Sequence, residues 1–299
     1  MNVALIGYGY WGKILRRYIE SNKQLKLKKI YDINFNNEDL FTNNIEEIIS
    51  NPDIAILFIA TPIETHLDYV IQGLKNKKHI FCEKPLCKKY EDTLKIRELI
   101  KENSRVVYTN YIYTESISID VMRENLEKIG AIRKINASIK QWGNFYDTDD
   151  VYEVIGVHML SAILYILNIE EKERISIKYN ALLENKKGLP LSGEIYLTID
   201  DKIECRIEAS LLDNKKERTI EIVGEKGKLN FDMLDSDTVT LIEYNTSDTV
   251  EEYSKISWNF DESNNLNKSI QSFINDIESN DFISNFSRAS LIQYILGEK

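Results

Sequence analysis

The chain has 299 residues, of which 43% are hydrophobic and 29% are charged, and its formal net charge at pH 7 is −10. This composition is typical of a globular protein, and the length predicts two domains. The negative charge argues against nucleic acid as a partner, because binding a phosphate backbone requires a cationic surface.

The first residues and the cysteines indicate the cellular compartment. Residues 1–6 form a short apolar run that ends at a glycine, with no basic region and no stretch long enough to span a membrane. Cys82, Cys87 and Cys205 form an odd set without metal-ligand spacing, which is typical of a reducing compartment. We therefore expect a cytoplasmic protein that has no membrane partner.

Up to about residue 110, short apolar runs alternate with helical patterns, which predicts parallel strands joined by crossover helices. Since the runs lack polar alternation, the sheet is expected to be covered on both faces. The prediction is an α/β domain with a doubly wound parallel sheet over residues 1–114. Its apolar runs lie at 3–6, 27–31, 54–60, 79–82 and 106–109.

After residue 110 the pattern changes to strands that alternate apolar with polar residues, which predicts an antiparallel sheet with one wet face. We assign residues 115–299 to a second, α+β domain and expect its last helix to pack back on the first domain. Its strands are expected at 131–142, 175–183, 194–198, 203–211, 218–223, 228–231 and 239–244, and its helices at 117–126, 152–167, 267–279 and 287–296.

A glycine-rich turn follows the first predicted strand. Gly7-Tyr8-Gly9-Tyr10-Trp11-Gly12 has the spacing G-x-G-x-x-G and opens a helix, which is the context of a Rossmann dinucleotide-binding turn. Gly7 would allow the tight turn, Gly9 would let the pyrophosphate approach, and Gly12 would let helix and strand pack closely. The alternative is an ordinary strand-to-helix turn.

An acidic residue ends the second predicted strand. Asp32 lies about 20 residues after Gly12, where a carboxylate can accept hydrogen bonds from the ribose hydroxyls of the cofactor. Because a carboxylate repels a 2′-phosphate and Ile33-Asn34 supply no arginine, the sequence favours NAD over NADP. The alternative is an aspartate that merely starts a turn.

Two further motifs follow the third and fourth strands: Ala60-Thr61-Pro62, with His66 after it, and Glu83-Lys84-Pro85. Together with the glycine turn they resemble the Gfo/Idh/MocA family of NAD(P)-dependent oxidoreductases. The resemblance implies a second domain with a large open sheet, and hydride transfer at a carbinol or carbonyl carbon, usually of a sugar. The residues assigned to the cofactor are Gly7, Gly9, Tyr10, Trp11, Gly12, Asp32, Ile33, Thr61, Pro62, His66, Glu83 and Lys84.

Lys84 is the first candidate catalytic residue. It lies at the carboxyl end of a predicted parallel strand, where open α/β sheets place their ligands. An ammonium there can polarise a carbonyl oxygen or stabilise an alkoxide. Without the motif, a solvated surface lysine would be the default interpretation.

His158 is the second candidate catalytic residue, on a helix that in this family carries Asp-x-x-x-His. Here Val154 occupies the aspartate position. Glu153 is adjacent, but neighbouring helix positions differ by about 100°, so only a shifted or unwound first turn would let it substitute. The alternative is a structural histidine.

Aromatic residues are candidates for contact with a sugar. Tyr111 follows the last strand of the first domain and Trp142 ends the first strand of the second, although core or rim packing is the alternative for both. We assign no metal, because the acids of residues 147–150 have no supporting histidine or cysteine.

The sequence therefore predicts an NAD-dependent oxidoreductase that acts on a sugar, including a nucleotide-linked sugar. Two alternatives stay open: a regulatory, cofactor-binding protein with weak or no catalysis, and an NAD-dependent glycosidase. We also expect a homodimer or homotetramer that forms through the second domain's sheet, since a broad sheet face seldom stays uncovered.

Overall fold

The computed structural model describes residues 1–34, 39–143, 145–235, 238–245, 251–261 and 263–299. The described chain forms two compact units. The first contains Met1–Tyr111 and Leu266–Gly297, and the second contains Ile112–Asn265 and the last two residues.

The first unit is built on a parallel sheet with the strand order β3-β2-β1-β4-β5-β6. This is the order of a Rossmann domain, in which the chain moves outward from β1 to β3 and then crosses back to β4 on the other side of β1. The strands are β1 (Asn2–Ile6), β2 (Lys26–Tyr31), β3 (Phe41–Thr42), β4 (Ile56–Ile59), β5 (His79–Glu83) and β6 (Val107–Asn110).

Helices connect these strands and cover their apolar side chains. The runs 3–6 and 56–59 are at most 1% exposed, which explains why they show no polar alternation. Near the other end of the chain, α8 packs on β6 and α4 within the same unit. The helices are α1 (Tyr10–Ser21), α2 (Glu46–Ile49), α3 (His66–Lys75), α4 (Tyr90–Asn103), α7 (Asn265–Ser279) and α8 (Ser284–Gly297).

The second unit is built on a sheet with the order β14-β13-β12-β11-β7-β10-β9-β8. Its neighbouring strands are antiparallel except for the parallel pair β7 and β10. The elements are α5 (Ile117–Glu124), β7 (Ile132–Trp142), α6 (Val157–Ile166), β8 (Ile175–Glu184), β9 (Pro190–Ile199), β10 (Ile203–Ser210), β11 (Leu212–Gly224), β12 (Gly227–Asp232), β13 (Thr238–Asn245) and β14 (Glu251–Asn259).

The predicted fold class, a Rossmann domain followed by a domain with a mostly antiparallel sheet, is confirmed. Two strands, β3 and β14, were not predicted, and β11 begins six residues earlier than predicted. The first part of β11 contains residues 213–216, which are polar and largely exposed, so the apolar pattern that marks a strand is absent there. None of the helices among the described residues is long and apolar enough to cross a membrane.

The two faces of the second sheet differ in chemistry. One face carries buried aliphatic residues, including Ile139 and Ile220, and helices α5 and α6 pack near these strands. The other face carries ion pairs, such as Lys140–Glu208 at 2.9 Å and Arg206–Glu194 at 2.5 Å. The predicted oligomer rests on an apolar uncovered face, whereas this part of the open face is charged. Oligomerisation stays a prediction.

Candidate functional site

The glycine turn between β1 and α1 has the geometry that its motif predicts. Gly7 has a φ of +95°, and a Cβ atom on it would lie 2.7 Å from the Ala60 carbonyl oxygen. A Cβ atom on Gly12 would overlap the carbonyl oxygen of Gly7. Both positions therefore require glycine for close backbone packing within the unit.

Gly9 has a different reason to be glycine. Its backbone is extended, with φ −72° and ψ −155°, which any residue adopts, and a Cβ atom there would meet no atom within 4 Å. The missing side chain leaves open space at the start of α1, whose first turn contains no acidic residue. A helix N-terminus with open backbone amides fits the pyrophosphate of a dinucleotide. Beside it, Tyr10 is 76% exposed and Trp11 is 45% exposed.

Asp32 is bonded directly to the glycine turn. Its carboxylate accepts hydrogen bonds from the backbone N–H of Tyr8 at 2.7 Å and of Asn34 at 2.8 Å. These bonds fix the acid at the end of β2, and Ile33 next to it is 79% exposed. The turn and the acid therefore form one arrangement that fits a dinucleotide, and the role of Asp32 toward the ribose stays a prediction.

His66 joins the two loops that carry the other cofactor motifs. It is 2% exposed, and its ring nitrogens lie 2.8 Å from the Thr61 carbonyl oxygen and 2.9 Å from the Pro85 carbonyl oxygen. A neutral imidazole donates only one hydrogen bond, so it satisfies one of these carbonyl groups at a time. The position of His66 ties the Thr61-Pro62 loop to the loop that follows Lys84.

His79 has a structural environment. Its Nδ1 accepts a hydrogen bond from the backbone N–H of Val106 at 3.1 Å, which links β5 to the residue before β6. Burial, helped by the nearby Arg105 cation, lowers the pKa of His79 to about 4. This ring therefore stays neutral near pH 7.

Glu83 is a buried acid directly before Lys84. It is 8% exposed, and its carboxylate accepts a hydrogen bond from Asn110 Nδ2 at 2.9 Å. Asn110 in turn accepts one from the Ser269 hydroxyl at 2.8 Å. Burial raises the pKa of the Glu83 carboxyl, although the Asn110 hydrogen bond and the Lys84 cation both oppose the shift. A chain of hydrogen bonds from α7 therefore fixes the backbone next to Lys84.

Replacing Glu83 by glutamine is expected to remove a pH-dependent cost of folding. In the folded protein the Glu83 carboxyl has a pKa above its ordinary value of 4.5. The protonated carboxyl therefore makes its full contribution to the free energy of unfolding below pH 4.5, and this contribution is lost as the pH rises through the raised pKa. In that window, wild-type stability falls relative to Glu83→Gln by up to about 1.4 kcal/mol per pH unit.

The measurement is the melting temperature of both proteins in buffers from about pH 4 to pH 8. Glu98→Gln, which changes an exposed acid on α4, is the matched control and should follow the wild type. A constant difference between wild type and Glu83→Gln across the whole range would contradict the raised pKa.

Lys84 follows β5 directly, at the edge of the sheet where β1 ends in the glycine turn. Its side chain is partly exposed, and the peptide bond between Lys84 and Pro85 is cis. The lysine therefore lies at the sheet edge where doubly wound folds bind their ligands. Its catalytic role stays a prediction.

In the second unit, a capping box begins the helix that carries His158. The Asp150 carboxylate accepts hydrogen bonds from the backbone N–H of Tyr152 and Glu153, and Glu153 accepts one from the N–H of Asp150 at 3.2 Å. A π-helical turn, Tyr152–Gly156, then precedes α6. The first turn is thus widened at the position of Val154, while the Glu153 carboxylate also pairs with Lys299 at 3.4 Å.

His158 lies in the first turn of α6 and belongs to a cluster of aromatic and polar side chains. Its ring centroid is 5.0 Å from that of Tyr113, with an interplanar angle of 59°. The Tyr113 hydroxyl accepts a hydrogen bond from Arg218 Nη1 at 3.0 Å, and Gln141 Oε1 accepts one from Arg218 Nη2 at 3.2 Å. The structure therefore brings together three residues that the predicted site does not contain.

The two predicted sugar contacts differ in exposure. Tyr111 is 1% exposed in the first unit, and burial raises the pKa of its hydroxyl. Trp142, at the end of β7, is 63% exposed and makes an edge-to-face contact with Phe145 at 5.8 Å. Their roles toward a substrate stay predictions.

A sequence signal for Arg218 exists, although the predicted site does not include it. Residues 219–222 alternate polar and apolar, and Arg218 breaks the pattern, because it shares its side of the strand with Ile220 and Ile222, which are at most 1% exposed. A charged side chain at a strand position where an apolar residue is expected needs a polar or charged partner when it is buried.

Comparison with protein families agrees with this geometry. Residues 1–111 match the Gfo/Idh/MocA model, which describes an oxidoreductase family with an NAD-binding Rossmann fold. The resemblance predicted from the glycine turn and the two loop motifs is thereby confirmed for residues 1–111.

Curated relatives extend the match beyond the first unit. The 2,7-anhydro-N-acetylneuraminate hydratase of Escherichia coli is 24% identical over 255 residues, which are 78% of this chain and 68% of the relative. The myo-inositol 2-dehydrogenase of Thermotoga maritima is 24% identical over 270 residues, 81% of this chain and 78% of the relative.

Solved structures share the fold over the whole chain. A UDP-N-acetylglucosamine 3-dehydrogenase from Acidithiobacillus ferrooxidans has a TM-score of 0.83 at 16% identity, covering 99% of this chain and 95% of that one. A 3-ketoreductase from Actinomadura kijaniata, in complex with TDP-benzene and NADP, has a TM-score of 0.83 at 15% identity, covering 100% and 96%. Levoglucosan dehydrogenase in complex with NADH has a TM-score of 0.80 at 18% identity, covering 100% and 96%.

Proposed function

We propose that this protein is an NAD-dependent dehydrogenase or reductase that transfers hydride at a carbinol or carbonyl carbon of a sugar. The observation that carries the proposal is the position of Lys84, directly after β5, at the same sheet edge as the glycine turn. A Rossmann domain binds its dinucleotide at this edge, so an ammonium group there is close to where hydride chemistry occurs.

The proton chemistry is assigned to the chain's own residues. The nicotinamide, when bound, supplies or accepts the hydride. In the reductive direction Lys84 Nζ polarises the carbonyl oxygen and donates the proton to it; in the oxidative direction Nζ takes the hydroxyl proton. His158 acts as a helper or a substrate ligand. Val154 contributes no carboxylate to orient the histidine, which favours the lysine as the main acid–base group.

The nature of the relatives supports a sugar or cyclitol as the substrate class. Two of the proteins described above act, by name, on myo-inositol and on UDP-N-acetylglucosamine, and a third is a levoglucosan dehydrogenase. Trp142, an exposed aromatic at the end of β7, is suited to stack on the apolar face of such a ring.

Asp32 supports NAD as the preferred cofactor. Its carboxylate is fixed by two backbone N–H groups beside the glycine turn and would repel a 2′-phosphate. In the helix that follows this turn, Arg16 has an acid partner: its Nε donates a hydrogen bond to Glu20 at 2.8 Å. That pairing leaves Arg16 less suited to neutralise a phosphate.

Titration of the cofactor-free protein with NADH and NADPH tests the proposal. We expect NADH to bind at least roughly tenfold more tightly, because one repulsive charge contact is worth more than about 1.4 kcal/mol in a partly buried site. Asp32→Ser should lower the ratio of the NADPH Kd to the NADH Kd. Asp53→Ser, which changes an exposed acid in the same unit, should leave this ratio unchanged. Equal or tighter binding of NADPH would contradict the role of Asp32, and binding of neither would contradict the dehydrogenase.

A further inference from the structure

Arg218 on β11 is a cation on an otherwise apolar side of a strand. It pairs with Ile139 of β7 and shares its side of the strand with Ile220 and Ile222. Those three neighbours are at most 1% exposed, whereas the Arg218 side chain is half-buried. The guanidinium therefore lies at the end of the buried face of the second sheet, partly removed from water.

Neutral groups hold this guanidinium. Nη1 donates to the Tyr113 hydroxyl at 3.0 Å, and Nη2 donates to Gln141 Oε1 at 3.2 Å. Its Nε is buried and has no hydrogen-bond partner among the described residues. Within the part of the chain that the structure describes, no carboxylate forms an ion pair with Arg218, whereas Arg174 pairs with Asp200 at 2.6 Å.

This environment of Arg218 costs free energy unless an anion binds the guanidinium. A partly desolvated cation that lacks a counter-charge is unfavourable, because neutral hydrogen-bond acceptors replace only part of its hydration. A planar guanidinium has five N–H donors, of which the bonds to Tyr113 and Gln141 use two, one on each Nη atom, and proteins use such an oriented group to bind phosphate and carboxylate.

The cluster also contains the candidate catalytic histidine. The ring of Tyr113 contacts that of His158, at 5.0 Å between centroids, and its hydroxyl accepts the hydrogen bond from Arg218. One side chain thus separates the guanidinium from the imidazole. A ligand that contacts both groups needs an anionic group a short distance from the carbon that reacts.

We propose that Arg218, oriented by Tyr113 and Gln141, binds an anionic group of the sugar substrate, a phosphate or a carboxylate. The inference rests on the proposed function and narrows its substrate class: the substrate is an acidic, phosphorylated or nucleotide-linked sugar rather than an uncharged sugar or cyclitol. Arg218 is a specificity-determining residue, and Tyr113 and Gln141 are positioning residues.

Matched probes separate the charge from the rest of the sugar. With NADH bound, the protein is titrated with glucose, glucose 6-phosphate and glucuronate, and with N-acetylglucosamine and UDP-N-acetylglucosamine; turnover of the same compounds is measured with NAD and NADH. We expect at least one anionic probe to bind more tightly than its uncharged counterpart by roughly tenfold or more. The glucose 6-phosphate and glucuronate arms distinguish a phosphate from a carboxylate.

Variants then assign the effect to Arg218. Arg218→Gln should weaken binding of the anionic probe by roughly 10- to 100-fold, and raise KM with little change in kcat, because a remote contact binds ground and transition states alike. Arg218→Lys keeps the charge and should recover part of the loss. Arg174→Gln, which removes an arginine of the same unit from an exposed ion pair, should resemble the wild type.

The possible failures can be told apart. Turnover of uncharged sugars only, with Arg218→Gln equal to wild type on every probe, would overturn the anion site and leave the dehydrogenase intact. Binding of an anionic probe that depends on Arg218, with no turnover of any sugar, would support the anion site and overturn the dehydrogenase. Absence of binding to every anionic probe would overturn the anion site.

Discussion

Lys84→Ala is expected to lower kcat by at least roughly 100-fold while the Kd of NADH changes by less than about threefold. The lysine follows β5 at the sheet edge of the dinucleotide turn, where its ammonium can donate a proton to, or take one from, the reacting oxygen. Dinucleotide affinity should survive, because we expect the backbone of the glycine turn, and the Asp32 carboxylate bonded to it, to make the main contacts with the dinucleotide. Single-turnover rates and NADH titration of the same preparation measure the two quantities.

Two control variants make this result specific. Lys89→Ala removes an exposed lysine just before α4 and should leave both kcat and Kd unchanged. Lys84→Arg keeps a cation but cannot readily release a proton, since the guanidinium stays charged at all ordinary pH values. We therefore expect Lys84→Arg to bind NADH normally and to recover little of the lost rate.

The outcome distinguishes catalysis from cofactor binding. Intact turnover in Lys84→Ala would remove the lysine from the mechanism. A parallel loss of turnover and NADH affinity would assign Lys84 to the cofactor alone, and His158 would become the main candidate for proton transfer despite Val154 at the position of its usual acidic partner.

The sheet and the glycine turn of the first unit could be predicted well because their signals are local. Three glycines within six residues mark the turn, and the structure gives each a separate reason: Gly7 has a positive φ, Gly12 lies against the backbone of Gly7, and Gly9 faces open space. Strands buried on both faces appear in the sequence as short apolar runs. The two-residue strand β3 has no such signal, which explains why it was missed.

The second unit was harder to predict because its decisive contacts are long-range. Arg218 and Tyr113 are 105 residues apart, and they meet only through the register of β11 against β7 and the turn before α5. The first unit also contains such a contact, since Ser269 of α7 donates a hydrogen bond to Asn110, which binds Glu83, from 159 residues away. Alternation of polar and apolar residues predicts that a strand exists, but it does not predict which partner strand it pairs with.

The π-helical turn before α6 is another feature that sequence periodicity does not predict. The spacing of helix residues assumes 3.6 residues per turn, and on that basis Glu153 lies to one side of the Val154 position. The structure instead widens this turn and uses Glu153 to cap it with Asp150. π-helical turns occur often at functional sites, which is consistent with the position of His158 in the helical turn that follows this one.

Gly12→Ala and Gly9→Ala are expected to separate the two uses of glycine in the turn. A methyl group at Gly12 overlaps the carbonyl oxygen of Gly7, and because that atom belongs to the backbone the turn itself must shift. We expect a loss of about 1–3 kcal/mol in unfolding free energy, reduced by up to about 1 kcal/mol from better helix propensity. Dinucleotide binding should be lost with the shape of the turn.

A methyl group at Gly9 meets nothing within 4 Å, and its backbone angles suit alanine, so the cofactor-free protein should melt at or slightly above the wild-type temperature. The same methyl fills the space through which the pyrophosphate approaches, and the Kd of NADH should rise at least roughly 100-fold. Gly297→Ala, at a glycine that also has open space but ends α8, should change neither value.

Unchanged NADH affinity in Gly9→Ala would mean that the dinucleotide does not bind across this turn. A lower melting temperature in Gly9→Ala would mean that the open space serves the fold, and only stable folding with lost affinity assigns Gly9 to the ligand.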